Sequence, residues 1–204
     1  MLGVPTDMSD TFTGWVRGVL EAGLVDQEVR LAARGNILGF FFEQVADRQA
    51  NPREDDLITT LLNSEIDGQK VPVEYVMGVC NLMLVAGVDT TWSSIGASLW
   101  HLAQHPEHRQ QLRDDPELWP AAVEELLRAY APVTMARIVD RDIDFQGCPM
   151  KAGDRVLMSF PAANRDPEQF ENPNEVIFDR EHNRHVAFGA GIHRCAGSNL
   201  ARLE

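Results

Sequence analysis

The sequence predicts a mainly α-helical chain with small β portions. Three observations carry this expectation. Apolar residues recur at helical spacing through the first three-quarters of the chain. One stretch, Val73 to Gln104, contains no proline. Beyond Pro132 the apolar period shortens to that of strands, with Gly147 and Gly153 as turn signals.

Each element follows in order. Phe12, Trp15, Val16, Val19 and Leu20 form the face of a first helix. Asp26 is placed to cap the next, whose Val29, Ala33, Ile37, Phe40, Phe41 and Val45 share a broad apolar face. After the polar break Asn51-Pro-Arg-Glu-Asp-Asp56, a short helix starts at Asp56, includes Leu57, Thr60, Leu61 and Ile66, and ends at Asp67-Gly68. Pro72 suits a first helical turn. The helix after it would be roughly 48 Å long at 1.5 Å per residue. It is apolar nearly all round in its middle and is expected to cross the core. Its longest apolar run, Val76 to Val88, is interrupted by Asn81 and reads as too short for a membrane span. Within that helix, Ala86-Gly87-Val88-Asp89-Thr90-Thr91 is poor helix-forming material, and such a local conflict marks function. Pro106 and Pro116 open two further helices, the second from Leu118 to Tyr130 and stopping before Pro132. Ile138–Phe145 and Arg155–Ser159 read as strands. Pro161–Arg184 is irregular, polar chain of a length that is usually functional or wrapped on a core. A helix follows Gly197.

The charge balance is 18 basic against 31 acidic residues, a net −13, which argues against binding a nucleic-acid backbone. Hydrophobic content of 44% and charged content of 24% are ordinary for a globular chain. Three widely spaced cysteines form no disulfide framework and point to a reducing compartment, such as the cytoplasm, or to one cysteine with a job. Met1 to Asp10 lacks the features of a signal peptide, and no membrane signal stands in the sequence.

The chemistry concentrates at Phe188-Gly-Ala-Gly-Ile-His-Arg-Cys195-Ala-Gly197. Glycines at this density let the backbone bend tightly and approach a flat object. Cys195 stands at the mouth of a helix, where free N–H groups and the dipole favour a thiolate. Cys80 and Cys148 read as passive, buried small hydrophobes, and the same reading competes for Cys195. A dinucleotide loop fails because Arg194 stands where a third glycine is needed. A zinc site from His182, His185, His193 and Cys195 has possible spacings but no second Cys-x-x-Cys half. A Cys/His nucleophile pair and a haem iron held by the thiolate remain open from the loop alone.

The pattern Phe188-Gly-x-Gly191-x-His193-x-Cys195-x-Gly197, continuing to Leu200-Ala-Arg202, resembles the haem-binding signature of the cytochrome P-450 family. Ala86-Gly87-Val88-Asp89-Thr90 is similar to that family's oxygen-activating segment, and Glu125-Leu-Leu-Arg128 to its Glu-x-x-Arg motif. Asn183-Arg184-His185 and Gly197-Ser-Asn-Leu-Ala-Arg202 are similar to soluble bacterial members.

The resemblance implies a cytochrome P-450 fold, incomplete, with residues 1–204 as the central to late part of the haem domain. The family's haem domain is longer at both ends. Met-Leu-Gly-Val-Pro-Thr resembles chain just before its mid-domain helices, and the helix after Cys195 looks cut. The implied activity is a haem-thiolate monooxygenase, inserting one atom of dioxygen into a small apolar organic substrate. The implied cofactor is haem b, with dioxygen as co-substrate. Electrons would come from a ferredoxin-type or flavin reductase donor, docked with help from Arg109, Arg113 and Arg194. The alternative is a catalytically inactive partial product that holds no haem.

Residue by residue, the resemblance makes Cys195 the axial iron ligand. Phe188 packs on the ligand side, and Gly189, Gly191 and Gly197 shape the loop. His193 and Arg137 match positions that bind haem propionates. Asp89 and Thr90 become an acid–alcohol pair for proton delivery, with Ala86 and Gly87 leaving room beside them. A widened π-type turn is expected there. Glu125 and Arg128 become structural. Their third partner, an arginine in a Pro-x-Arg-Phe arrangement in other members, is replaced by Pro173-Asn-Glu-Val176, leaving Arg180 and His185 as candidates. Leu82, Met83, Val85, Ala86, Val133, Met135 and Ala136 are candidates for facing substrate or for plain core.

Overall fold

The structure is a computed structural model, and it describes residues 3–204. Met1 and Leu2, which begin the Met-Leu-Gly-Val-Pro-Thr stretch, lie outside the described residues. The chain divides into two compact units, Met1–Asp89 and Thr90–Glu204.

In the first unit, α1 (Ser9–Leu20) packs on α2 (Gln27–Ala50). Asp26 caps α2 as its sequence position predicts, its Oδ1 accepting the N–H groups of Glu28 and Val29. The two helices pool Phe12, Val16, Ile37, Phe41 and Val45 with Ile58 of α3 (Leu57–Asn63) and Val76, Cys80 and Leu84 of α4 (Val73–Gln104) in one buried cluster. Phe41 is fully buried there. Asp56 caps α3 through Thr59 N–H, and its carboxylate also accepts from Arg48 Nε at 3.1 Å, in a pair that is almost wholly buried. Arg48 Nη2 donates to the Gly3 carbonyl, tying in the start of the described chain.

Helix α3 is shorter than expected. It ends at Asn63, and Ile66 lies in a two-stranded hairpin, β1 (Glu65–Ile66) with β2 (Gln69–Lys70). The reason is the Asp67-Gly68 turn. Both residues take positive φ, the conformation of the tight hairpin connection, so Asp-Gly here joins two strands rather than ending a helix.

Helix α4 is continuous, as its lack of proline predicts. It is α-helical throughout, so the expected π-type widening at Ala86–Thr90 is absent. Its burial also differs from the expectation of a helix crossing the core. Val76, Cys80 and Leu84 are buried at one stripe, while Tyr75, Leu82, Ile95, Leu99 and Trp100 are exposed. By length and composition α4 as a whole is long and apolar enough to cross a membrane, although the apolar run Val76 to Val88 within it is shorter than a span.

In the second unit, α5 (Pro106–Asp114) and α6 (Trp119–Ala129) pack Leu112, Ala122 and Leu126 against Phe178. Strand β3 (Thr134–Ile138) pairs antiparallel with β6 (Arg155–Ser159), Arg137 opposite Val156. The single strand expected over Ile138–Phe145 is two. Chain from Val139 to Asp142 breaks it, and β4 (Ile143–Phe145) pairs with β5 (Cys148–Met150) instead. The Gln146-Gly147 turn, again with two positive φ values, makes that hairpin. Cys148 lies exposed on it, against the expectation of burial, because a two-stranded hairpin has no layer of its own to cover it. Cys80 is buried, and burial pushes its thiol up to about 11, so it is inert. Beyond β6 come a short α7 (Phe160–Ala163) inside the stretch expected to be irregular, a long run of turns, and α8 (Ser198–Leu203).

Candidate functional site

The cysteine loop is closed by its own backbone. Cys195 N–H donates to the Phe188 carbonyl at 2.8 Å, and Gly189 N–H donates to Val186. Gly189 and Gly191 have φ of +70° and +68°, values that a side chain makes costly. These glycines therefore set the path that returns the chain to Phe188 and presents Cys195 outward. The Cys195 side chain is exposed. Gly197 passes beneath it, and a Cβ there would sit 3.9 Å from Sγ. His193 lies exposed in the short 3-10 turn Gly191–His193. Arg137 is exposed on β3, with Nη1 donating to the Ala136 carbonyl.

Two neighbouring glutamates on α6 hold the chain that leads to this loop. Glu125 and Arg128 are fully buried and form a fork-to-fork pair, Nε and Nη2 donating to Oε2 and Oε1 at 2.8 and 2.7 Å. Arg180 is the third partner, its Nε reaching both Glu125 oxygens at 3.1 and 3.2 Å. Ile177 N–H and Asn183 Nδ2 also donate to Glu125. All of these partners are donors, so the carboxyl is ionised. Burial works to raise its pKa, but the hydrogen bonds from Arg128, Arg180 and Ile177 outweigh burial and hold it below the ordinary carboxylate range. Arg128 spends its remaining donors on backbone, reaching the carbonyls of Asn164, Pro173 and Glu175 at 2.7–2.8 Å. Buried Asn164 in turn accepts Val186 N–H at 2.7 Å, two residues before Phe188.

Glu124, one residue earlier, grips the loop from its other side. It pairs with Arg202 of α8 through both oxygens and accepts from His185 Nε2 at 2.9 Å. His185 Nδ1 accepts Ala187 N–H, so the ring is the neutral Nε2–H tautomer and its link to Glu124 is a hydrogen bond rather than an ion pair. Burial lowers the imidazole pKa and prevails over the raising effect of Glu124. The Arg202 guanidinium also covers the Phe188 ring, 4.6 Å from its centroid. Glu124, Asn164 and Asn183 were not singled out from the sequence. Of these, Glu124 left a trace as the neighbour of Glu125 in Glu124-Glu125-Leu-Leu-Arg128, and Asn183 as part of Asn183-Arg184-His185.

The other motif stands on α4. Asp89 and Thr90 are half-buried, and Ala86 and Gly87 are exposed. A Cβ on Gly87 would meet nothing within 4 Å, so packing within the protein does not demand glycine there. One turn earlier, Asn81, Leu82 and Val85 line a cavity of about 220 Å³ with Val19 of α1 and Arg30 and Arg34 of α2. Leu82 is 63% exposed and Met135 39%, so these two substrate candidates are not core side chains. Met83 and Val85 are half-buried on α4, Val133 is half-buried beside β3, and Ala136 is exposed.

The donor set fits a single axial bond better than a polydentate site. Among the described residues, the only grouping of three or more His, Cys, Asp or Glu with converging ligand atoms is His101, His105 and His108. Cys195 is in no such group, and His185, committed to Glu124 and Ala187, is not free to join one. No histidine hydrogen-bonds to Cys195 among the described residues, which removes support from a Cys/His nucleophile pair. A lone exposed sulfur on a loop bent by left-handed glycines, with an aromatic ring beside it, suits a planar macrocycle bound through its iron.

Comparison with known proteins decides the family. The cytochrome P450 profile matches residues 27–204. The chain belongs to the cytochrome P-450 family. It is 39% identical over its whole length to the probable cytochrome P-450 127A1 of Sinorhizobium fredii, covering 48% of that protein. It is 34% identical to the polyketide-biosynthesis cytochrome P-450 PksS of Bacillus subtilis, again over the whole chain and 51% of the relative. The solved structure of PksS superposes with a TM-score of 0.91 at 35% identity, over 99% of this chain and 52% of that one. The structure of P-450BioI with a hexadec-9Z-enoic acid-ligated acyl carrier protein matches with a TM-score of 0.88 at 34% identity, covering 99% and 53%. The chain thus spans about half the length of the relatives it matches. Membership in the cytochrome P-450 family implies a haem cofactor and the use of dioxygen.

Proposed function

We propose that residues 1–204 are part of the haem domain of a cytoplasmic haem-thiolate monooxygenase, which inserts one atom of dioxygen into an apolar organic substrate. The observation that carries this reading is the cysteine loop, with one outward thiol, two left-handed glycines and buried anchors from α6. Cys195 would hold the iron of haem b through its thiolate. A haem bound through a thiolate supplies dioxygen activation, the sulfur's electron density favouring O–O cleavage. Phe188, fixed by Arg202, limits water near the sulfur, and Gly189, Gly191 and Gly197 leave the space a macrocycle needs. His193 and Arg137, both exposed, bind the propionates, Arg137 after leaving its carbonyl contact.

On α4, Asp89 relays protons from solvent and Thr90 positions the water that hands them on. Ala86 and Gly87 keep that face of the helix low. The cavity of Val19, Leu82 and Val85 takes the apolar body of the substrate, and Arg30 and Arg34 on its wall accommodate an anionic group. Two electrons come from a ferredoxin-type or flavin reductase donor, which docks through the exposed Arg109, Arg113 and Arg194. Glu125 and Arg128 are structural, acting through the chain they hold. An inactive product that holds no haem has no observation in its favour.

The test is spectroscopic. In the haem-loaded protein, Cys195→Ala is expected to lose the carbon monoxide difference band characteristic of a thiolate-bound haem. A variant that keeps the band would overturn the assignment.

A further inference from the structure

We propose that His101, His105 and His108 form a binding site for a divalent transition-metal ion of the zinc class, separate from the haem ligand Cys195. The three residues stand as His-x-x-x-His-x-x-His across the joint between α4 and α5. His101 lies in the last turn of α4, His105 immediately precedes Pro106 at the start of α5, and His108 lies in the first turn of α5. The i, i+4 and i, i+3 steps bring all three to one side of the joint. One ring nitrogen of each falls within 4.8 Å of the others.

Two of the outward nitrogens are already held. His101, 2% exposed, has Nδ1 against the Tyr130 hydroxyl at 2.7 Å. His105 Nδ1 lies 2.9 Å from Glu107 Oε1, and since a carboxylate accepts, Nδ1 carries the proton and Nε2 keeps a lone pair. Such partners fix tautomer and ring orientation in metal sites. Between the rings, His101 Nε2 faces His108 Nδ1 at 2.8 Å, a separation that holds one shared proton. An entering cation takes the place of that proton. Both nitrogens then donate a lone pair to it, and the proton moves to the other nitrogen of the ring that carried it, so that each imidazole stays neutral with one N–H. Tetrahedral zinc with bonds of about 2.0–2.1 Å sets its ligand nitrogens roughly 3.3 Å apart. The facing pair opens slightly to reach this, and His105, stacked on His101 with ring centroids 4.3 Å apart, turns its Nε2 off that stack toward the ion.

The donor set also selects the ion. Imidazoles suit zinc, cobalt, nickel and copper, whereas magnesium and calcium require oxygen. His105, with its side chain 42% exposed, provides the way in and leaves a fourth position to water. The bound ion would tie the last turn of α4 to α5 and, through His101 and Tyr130, to the end of α6.

The experiment titrates the chelator-treated, haem-loaded protein with Zn²⁺ in competition with a chromophoric chelator, and follows the thermal midpoint in parallel. The protein is expected to bind one equivalent and to gain thermal stability. His105→Ala changes an exposed side chain and spares the core. It is expected to weaken binding at least a hundredfold and to abolish the thermal shift. Glu107→Gln is expected to weaken binding about tenfold, as loss of an outer partner does. If His105→Ala binds zinc as tightly as the unaltered protein, or if the unaltered protein takes up no zinc, the site does not exist.

Discussion

At the scale of single residues, Glu125 shows how a buried charge is tolerated. Its carboxylate is fully buried, yet every face of it meets a donor nitrogen. Replacing such a group does more than remove its own bonds. Glu125→Ala leaves Arg128 buried without a counter-charge, and breaking a buried pair in this way costs about 3–5 kcal/mol. The expected outcome is a loss of that order in urea denaturation, with the same variant releasing haem faster because the 164–186 segment loses its fixing point. The sequence made the Glu125–Arg128 pairing legible, since i, i+3 on a helix brings the two together. It left the third partner between Arg180 and His185. The structure places Arg180 on Glu125 and His185 on Glu124. That division depends on how a turn-rich segment folds back on α6, and no periodicity encodes it.

At the scale of elements, α4 carries the sharpest conflict between propensity and position. Its length was readable because proline is absent, and its candidate site because Gly, Asp and Thr are poor interior helix residues. What pattern did not give was the local geometry, which stays α-helical. The hairpins failed differently. Asp67-Gly68 was read as a helix end, although its left-handed pair joins two strands, whereas Gly147 was read as a turn and only its second strand, Cys148–Met150, was missed. For α4 the expected outcome concerns Thr90. Thr90→Ala in the haem-loaded protein should leave the thiolate spectrum intact and raise peroxide formed per electron consumed. Unchanged coupling would make Thr90 a structural residue.

At the scale of the whole molecule, the charged anchors set a common response to acid. Asp56, Glu124 and Glu125 all lie below the ordinary carboxylate range. In each, burial pulls upward and donors prevail: the Thr59 N–H and Arg48 at Asp56, Arg202 and His185 at Glu124, Arg128 and Arg180 at Glu125. A carboxylate depressed in the folded state contributes stability that is complete above its unfolded pKa, about 4, and is lost as pH falls through its folded value. Neutral His185 has the same sign at higher pH. The unfolded imidazole takes up a proton below about 6.5 while the buried one resists, so stability also declines there as pH falls. Unfolding free energy measured against pH should therefore drop in two stages on the acid side, and Glu125→Gln should flatten the lower one. The Arg128 grip has a different kind of consequence. Its outward bonds go to carbonyls of Asn164, Pro173 and Glu175, and every residue type offers a carbonyl. The clasp is therefore blind to spelling. At the positions held only by their carbonyls the spelling is free to change, Pro-x-Arg-Phe giving way to Pro173-Asn-Glu-Val176, whereas Phe170, buried under the Arg128 guanidinium, is held by its side chain.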